Sequence, residues 1–262
     1  MAAQSQQSTI RVRQAARADI DDVVRIHVDA FSPGVMNRLM YPTGMSDDAR
    51  SKLASTMVKI VEDAETGASD NNSKPKANES FLLVAETGSV GEGDPRPEVV
   101  AFAWWDIWRE PRLEEQWNVA QPVFAYTAEG ANDEIMEAFI GGIRDMRRRN
   151  MRGDPGICLR MLCCTPARSR LGAGSALLRW GAELADREGL PIWLEASPQG
   201  YPLYRRFGFE DVDVLDLDVT RNWGAIRRAD EYWGANTAVQ LFGTAPEGVY
   251  RSVGMRRLPV KG

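Results

Sequence analysis

The stretch Thr165-Pro-Ala-Arg-Ser-Arg-Leu-Gly-Ala-Gly-Ser175 stands between two segments of different character. Before it, Cys158-Leu-Arg-Met-Leu-Cys-Cys164 is short and apolar, which is typical of a buried strand. After it, the residues up to about Glu188 follow the periodicity of a helix. The stretch is therefore a strand-to-helix connection, and we call residues 165–175 the glycine loop.

Gly172 and Gly174 let the backbone at the start of this helix come close to a ligand. The first-turn N–H groups of a helix have no partner within it, and the helix dipole favours negative charge there. Arg168 and Arg170 add positive charge. The loop predicts a pyrophosphate site; the alternative is a tight turn that needs glycine only for its backbone angles.

The spacing of the glycines disfavours two familiar phosphate-binding loops. A dinucleotide-binding fingerprint has a third glycine three residues after the second, and that position holds Leu177. A P-loop requires the tripeptide Gly-Lys-Ser/Thr, which does not occur in this region. We therefore expect a phosphate site that belongs to neither of these two classes.

The composition indicates a globular protein with one large domain. The chain has 262 residues, of which 44% are hydrophobic, enough to bury a sizeable core. Its net charge of −5 and its pI near 5.2 argue against a general nucleic-acid-binding protein. No stretch of the sequence is long and apolar enough to span a bilayer. We therefore expect neither a nucleic acid nor a membrane among its partners.

Cysteine and histidine are too few for a disulfide framework or a zinc enzyme. All three cysteines lie within the strand-like segment before the glycine loop, and His27 is the one histidine. The first residues, Met1–Gln7, lack the apolar core of a secretory signal. We therefore expect a cytoplasmic protein without a metal.

The order of the predicted elements is that of a mixed α/β fold. Alternating or apolar runs predict strands, and amphipathic runs predict helices. The resulting order, β-α-α-β-β-(α)-β-α-β-α-β-β, gives a mixed sheet with helices on both faces. We predict helices over Asp47–Asp63 and Asp133–Asn150, and a mobile loop over Glu65–Glu79.

Three motifs follow one another along the chain. The first is a strand that ends in Leu162-Cys-Cys-Thr-Pro166, the loop Ser169-Arg-Leu-Gly-Ala-Gly174 comes next, and Leu203-Tyr-Arg-Arg-Phe-Gly-Phe209 is the third. This ordered set resembles the GCN5-related N-acetyltransferases, the GNAT superfamily, whose corresponding loop is Gln/Arg-x-x-Gly-x-Gly/Ala and whose third motif is Leu-Tyr-x-x-x-Gly-Phe. The resemblance spans about Ile10 to Val219, and the sequence of Glu195–Tyr204 looks most like that of a branch common in fungi.

The resemblance implies a strongly twisted central sheet of about seven strands, flanked by helices and splayed between the fourth and fifth strands. It implies that acetyl-CoA bridges the splayed strands, which here would be Leu159–Cys164 and Ile192–Ser197. It also implies a single domain over residues 1–262 with three insertions, near 64–79, 110–150 and 221–248.

The same resemblance implies where acetyl-CoA would bind. Backbone groups at the end of the first splayed strand would pair with the pantetheine arm as an added strand does, and the glycine loop would hold the pyrophosphate. Ser169 departs from the family, which has Gln or Arg there, and Ser197 stands where many members have Asn. The residues implied to bind acetyl-CoA are Leu162, Cys163, Cys164, Ser169, Arg170, Leu171, Gly172, Ala173, Gly174, Ser175, Ser197, Tyr204 and Arg206.

Catalysis needs a proton donor and a proton acceptor. Tyr204 matches the family's donor position, and a phenol can protonate a departing thiolate; the alternative is a tyrosine that packs a short helix on the sheet. A base must accept a proton from the attacking amine. Glu195 is the first candidate, Asp106 the second and His27 the third, while a chain of waters would need no residue.

We therefore expect direct transfer of an acetyl group from acetyl-CoA to the amine of a small molecule, without a metal. The alternatives are a protein or peptide amine as acceptor, and a CoA-binding sensor or scaffold that has lost catalysis. Trp104 and Trp105 lie on one predicted strand and point to opposite faces, so one of them is a candidate for the wall of the acceptor groove. The resemblance to the family also allows a homodimer.

Overall fold

The computed structural model describes residues 9–68, 77–88, 97–119 and 128–260. The strands are β1 (Thr9–Gln14), β2 (Asn78–Gly88), β3 (Glu98–Trp108), β4 (Gly156–Cys164), β5 (Ile192–Ala196), β6 (Glu210–Asp218) and β7 (Val249–Arg257). The helices are α1 (Ile20–Phe31), α2 (Val35–Met40), α3 (Asp47–Ala68), α4 (Glu114–Trp117), α5 (Asp133–Met136), α6 (Gly142–Met151), α7 (Ala173–Glu188), α8 (Tyr201–Arg206), α9 (Val219–Trp223) and α10 (Val239–Phe242). The predicted mixed α/β class is confirmed.

The strands form one seven-stranded sheet in the order β1-β2-β3-β4-β5-β7-β6. Each neighbouring pair is antiparallel except β4 and β5, which run parallel. Parallel neighbours need a crossover connection, and α7 supplies it. The mixed seven-stranded sheet implied by the resemblance is therefore confirmed.

β4 and β5 separate soon after they meet. Their ladder begins at Ile157 and Ile192 and ends at Leu159 and Leu194. Residues 160–164 of β4 continue beside β3 and diverge from β5. The sheet is thus splayed between its fourth and fifth strands, and we call the opening beyond Leu159 and Leu194 the fork.

Helices cover the two faces of the sheet differently. On one face, α7 packs Leu177 and Leu178 into a core that includes Trp105 of β3. On the opposite face, α1 packs on β3 and β4, α3 on β2, and α6 on β5 and β6. We call these the α7 face and the α1 face. The fork therefore lies against α7 and α8 on the first and between α1 and α6 on the second.

The predicted loop over Glu65–Glu79 is wrong at both ends. α3 extends to Ala68, and β2 already begins at Asn78. Glu65 and Thr66 are exposed on the last turns of α3, so their polar character belongs to a solvated helix face, which composition cannot distinguish from a loop. Residues 69–76 of the insertion expected near 64–79 lie outside the described residues.

The predicted helix over Asp133–Asn150 is interrupted. A π-helical segment, Glu137–Gly141, separates α5 from α6. Gly142, which follows it, packs tightly on β6, because a Cβ built there would lie 2.8 Å from Leu215 Cδ1. The two adjacent glycines, which are weak helix formers, accompany the wider turn at this close approach. Residues 120–127 of the insertion expected near 110–150 lie outside the described residues.

Residues 221–248 lie between β6 and β7, where an insertion was expected, and we call them the excursion. Arg251 of β7 holds the excursion in place. Its guanidinium pairs with Asp216 at 2.7 Å and donates to the carbonyl oxygens of Thr237 and Gly243 at 3.1 and 2.6 Å. The Arg251 side chain is only 3% exposed, so two backbone carbonyls of the excursion depend on one buried cation.

The helices of the described residues do not combine the length and the apolar character that crossing a bilayer requires. Within the same ranges, His, Cys, Asp and Glu side chains do not gather in groups of three or more that could hold a metal ion.

Candidate active site

The glycine loop passes through two residues with positive φ before α7 begins. Arg170 has φ +68° and Gly172 has φ +87°. Residues with a side chain rarely adopt this conformation, so the backbone at Arg170 is strained. Strain of this kind clusters where a loop places backbone groups for a ligand.

The two glycines of the loop have different roles. A Cβ built on Gly172 has nothing within 4 Å, so the positive φ is what requires glycine there. A Cβ built on Gly174 would lie 3.2 Å from Cys164 Sγ and 3.7 Å from Leu203 Cδ2. Gly174 therefore lets the first turn of α7 touch both the end of β4 and α8, which brings the three sequence motifs together.

The first turn of α7 presents backbone N–H groups beside the fork. Ala176 N–H bonds to the Gly172 carbonyl at 2.9 Å, whereas the N–H groups of the preceding residues have no acceptor within the helix. The positive end of a 16-residue helix dipole adds to them, so this turn suits an anion.

β4 brings a backbone edge to the same place. Leu162, Cys163 and Cys164 pair on one side with residues 101–103 of β3. On the other side, their ladder with β5 has already ended. Backbone N–H and C=O groups along this edge need partners, and a ligand with amide groups can supply them.

Tyr204 is buried next to the fork on the α7 face. Its ring packs edge-on against Phe209 with 5.9 Å between centroids, and a Cβ on Gly200 would lie 2.8 Å from its Cε2. Burial raises the pKa of Tyr204 above its usual range. The phenol therefore keeps its proton at neutral pH, as a proton donor must.

The cations near the glycine loop are not equivalent. Arg168 is paired with Glu98, whose Oε2 lies 3.0 Å from its Nε. Arg170 is exposed and has no ion-pair partner among the residues described. Ser169 is exposed as well, and Arg206 lies on the exposed side of α8. Arg170 is thus the loop residue best placed to offer charge to an anion at α7.

Ser197 begins the turn from β5 into α8. Its Oγ accepts from Gly200 N–H at 3.2 Å, and its carbonyl oxygen accepts from Tyr201 N–H at 3.0 Å. The side chain therefore fixes the start of α8, the helix that carries Tyr204. Its O–H can still donate to a ligand.

Glu195 lies on the α1 face of β5 in a buried ion pair. Arg147 of α6 donates to both of its carboxylate oxygens, to Oε1 at 3.0 Å, and Trp193 Nε1 donates to Oε1 at 2.6 Å. The Glu195 side chain is 4% exposed. To accept a proton, Glu195 would have to give up part of this pairing, so its role as base stays a prediction.

Sequence reasoning did not select Arg147 as a site residue. Residues 147–149 are three consecutive arginines near the end of a helix and look equivalent in the sequence. Arg149 pairs with Asp213 at the surface, while Arg147 points inward to Glu195. The helical spacing that separates inward from outward positions was the available signal.

Asp106 and Trp104 extend the polar groups of the α1 face onto β3. Asp106 Oδ1 accepts from Ser80 Oγ at 2.7 Å and from Trp104 Nε1 at 2.9 Å. Arg160 Nη1 lies 3.5 Å from Asp106 Oδ2. Trp105 packs against α7, so the predicted opposition of the two tryptophans is confirmed, with Trp104 on the α1 face.

His27, the third candidate base, packs against Phe31 on α1 with 4.9 Å between ring centroids. Its Nδ1 has no hydrogen-bond partner among the described residues. Burial lowers its pKa to about 4. At neutral pH the imidazole is therefore neutral and only weakly basic.

Two solved structures resemble this chain in their fold over nearly its whole length. The mosquito arylalkylamine N-acetyltransferase-like protein 5b is 15% identical with a TM-score of 0.56, covering 95% of this chain and 100% of that one. A Drosophila melanogaster polyamine N-acetyltransferase, which catalyses the formation of N-acetylagmatine, is 14% identical with a TM-score of 0.54, covering 95% and 100%. The chain has the GNAT fold. No protein-family model matches the sequence.

A third solved structure, the PaiA N-acetyltransferase of Thermoplasma acidophilum in complex with coenzyme A, is 11% identical with a TM-score of 0.43, covering 95% of this chain and 99% of that one. In the present chain, the GNAT fold brings the glycine loop, the fork and Tyr204 together. It places Glu195 and Asp106 on the other face of the sheet, among arginine and tryptophan side chains.

Proposed function

We propose that the protein is an acetyl-CoA-dependent N-acetyltransferase that transfers the acetyl group directly to the amine of a small molecule. The observation that carries the proposal is the contact of Gly174 with both Cys164 and Leu203. Through it, the edge of β4, the first turn of α7 and the helix of Tyr204 converge at the fork. Each feature has a structural explanation alone, but together they suit one ligand with amide, pyrophosphate and thioester groups.

The residues present fit acetyl-CoA. The β4 edge at Leu162–Cys164 would pair with the amides of the pantetheine arm, and the N–H groups of the first turn of α7 would hold the pyrophosphate. Arg170 would add charge to this phosphate site, and the Ser197 hydroxyl would meet the arm at the end of β5. When bound, acetyl-CoA supplies an acetyl thioester.

Tyr204 would act as the general acid. Its phenolic O–H would donate a proton to the departing sulfur, and its raised pKa keeps that proton in place until then. The acceptor would approach from the α1 face, since α7 and α8 cover the other. Holding the amine and the acetyl group together at the fork would supply much of the rate through proximity.

A base must take a proton from the amine, because an ammonium has no lone pair with which to attack. Glu195 would serve only by loosening from Arg147, and Asp106 only while still accepting from Ser80 and Trp104. A water relay would require neither carboxylate. Glu195 remains the first candidate of the three.

A small acceptor is supported by the names of two fold neighbours. One is an arylalkylamine N-acetyltransferase-like protein and the other a polyamine N-acetyltransferase. Their low identity transfers no residue roles, so the support concerns the general class of acceptor.

Calorimetry and a turnover assay test the proposal in sequence. We expect CoA and acetyl-CoA to bind and to raise the melting temperature, and we expect at least one amine in a panel of small molecules and peptides to release CoA thiol. Absence of binding and of thermal stabilisation would overturn the proposal. Binding without turnover of any amine would instead favour the CoA-binding sensor.

A further inference from the structure

Arg160 stands where the fork opens. In the register between β3 and β4, Leu159 lies opposite Trp105 and Met161 opposite Trp104, which leaves Arg160 unopposed in a β-bulge. The ladder to β5 ends one residue earlier. The bulge directs the Arg160 side chain to the α1 face, where it meets Trp104.

The guanidinium of Arg160 is held loosely. Its Cζ lies 5.1 Å from the centroid of the Trp104 ring, and its nearest acidic atom, Asp106 Oδ2, is 3.5 Å from Nη1. Within the described chain, it donates no hydrogen bond, and 25% of the side chain is exposed. A guanidinium has five N–H donors in a planar array, so this one can still bind a planar anion.

The carboxylates beside the fork are already engaged by the protein. Asp106 accepts from Ser80 and Trp104, and Glu195 accepts from Arg147 and Trp193. A second cationic group on the acceptor would therefore have to compete with these protein donors for either carboxylate.

We propose that the acceptor amine also carries a carboxylate, which Arg160 binds; this inference rests on the proposed acetyltransferase function. A carboxylate matches two parallel N–H donors of a guanidinium, and the Trp104 ring offers an apolar platform beside it. The same positive charge disfavours an ammonium and favours the neutral amine that attacks the thioester. The acceptor class is thus amino acids and related amino carboxylic acids.

Matched acceptor pairs test this inference. Phenylalanine is compared with phenylalaninamide and 2-phenylethylamine, and methionine with its amide and its decarboxylated amine, by release of CoA thiol. We expect the acids to have at least 10-fold higher kcat/KM. Arg160→Gln should abolish this preference mainly through KM, Arg160→Lys should retain part of it, and Arg179→Gln, at an exposed arginine of α7, should change nothing.

A binding measurement separates failure of the inference from failure of the proposed function. Titration of phenylalanine and 2-phenylethylamine into the protein, with and without CoA, reports acceptor binding whether or not turnover occurs. Arg160-dependent binding of the acid supports the inference even if acetyl transfer is absent. Amines that bind or react as well as the acids, or a preference that survives Arg160→Gln, overturn it while leaving an acetyltransferase of other amines standing.

Discussion

Gly174 packs directly against the sulfur of Cys164, since a Cβ built on Gly174 would lie only 3.2 Å from that atom. The contact sets the distance between the first turn of α7 and the end of β4. These are the two elements on which the pyrophosphate and the pantetheine arm are proposed to lie. The absence of a side chain at residue 174 is therefore a condition of the site's geometry.

Gly174→Ala should force α7 away from β4, because 3.2 Å is shorter than ordinary van der Waals contact. We expect a loss of about 1 kcal/mol in the free energy of unfolding and several-fold weaker acetyl-CoA binding. With Cys164→Ala in the background, the same change should be neutral or stabilising, since alanine favours a helix over glycine by about 1 kcal/mol. Urea unfolding of the four proteins gives the coupling; purely additive effects would contradict the contact.

Tyr204→Phe should lower kcat about 100-fold and leave the Kd of acetyl-CoA within about twofold, because it removes a proton donor but keeps the buried ring. Tyr201→Phe is the matched control on the same helix. It removes hydrogen bonds to Asp211 and to Ala238 N–H, so it should affect stability but not kcat. An unchanged kcat in Tyr204→Phe would show that Tyr204 is not the general acid.

Glu195→Gln should destabilise the protein by about 3 kcal/mol, because it leaves Arg147 buried without its counter-charge. Replacing both residues with leucine should recover most of this loss, since a buried ion pair contributes little net stability. The pH–rate profile of a stable preparation decides the catalytic question. Loss of the acidic limb in Glu195→Gln would assign the base to Glu195, and an unchanged profile would remove it.

His27 predicts a specific dependence of stability on pH. Its pKa is about 4 in the folded protein and near 6.5 when unfolded, so the unfolded chain binds more protons between these values. The stability it contributes is complete above pH 6.5 and falls as the pH drops towards 4, by on the order of 2 kcal/mol. Since this is the one histidine of the chain, His27→Gln should flatten the unfolding free energy between pH 6.5 and 4.5. A slope equal to that of the parent protein would contradict the lowered pKa.

The sequence predicted the parts of the fold that local patterns determine. The strand before the glycine loop and the short helix of Tyr204 follow from apolar runs and motif spacing. The bulge at Arg160 could not be predicted in this way, because it arises from the register of β4 against β3. The π-helical segment before Gly142 depends likewise on contact with Leu215, 73 residues further along the chain.

The residues of the candidate site also differ in whether local sequence patterns or distant contacts determine them. Tyr204 and the glycine loop could be placed from sequence because each belongs to a contiguous motif. The pairing of Glu195 with Arg147 joins β5 to a helix 48 residues away. Helical spacing can separate an inward from an outward arginine among residues 147–149, but it does not identify the partner of the inward one. Whether a carboxylate is available for proton transfer depends on such distant partners, and these become visible only in the packed structure.

Arg251 also implies an order of events in folding. It lies opposite Asp216 in the register of β6 and β7, so pairing of those two strands fixes the guanidinium to which the carbonyls of Thr237 and Gly243 bond. Closing the intervening segment has an entropic cost that the strand pairing must meet first. The excursion should therefore form last and open first. Its amides should exchange with solvent deuterium through local opening, while those of β6 and β7 await global unfolding.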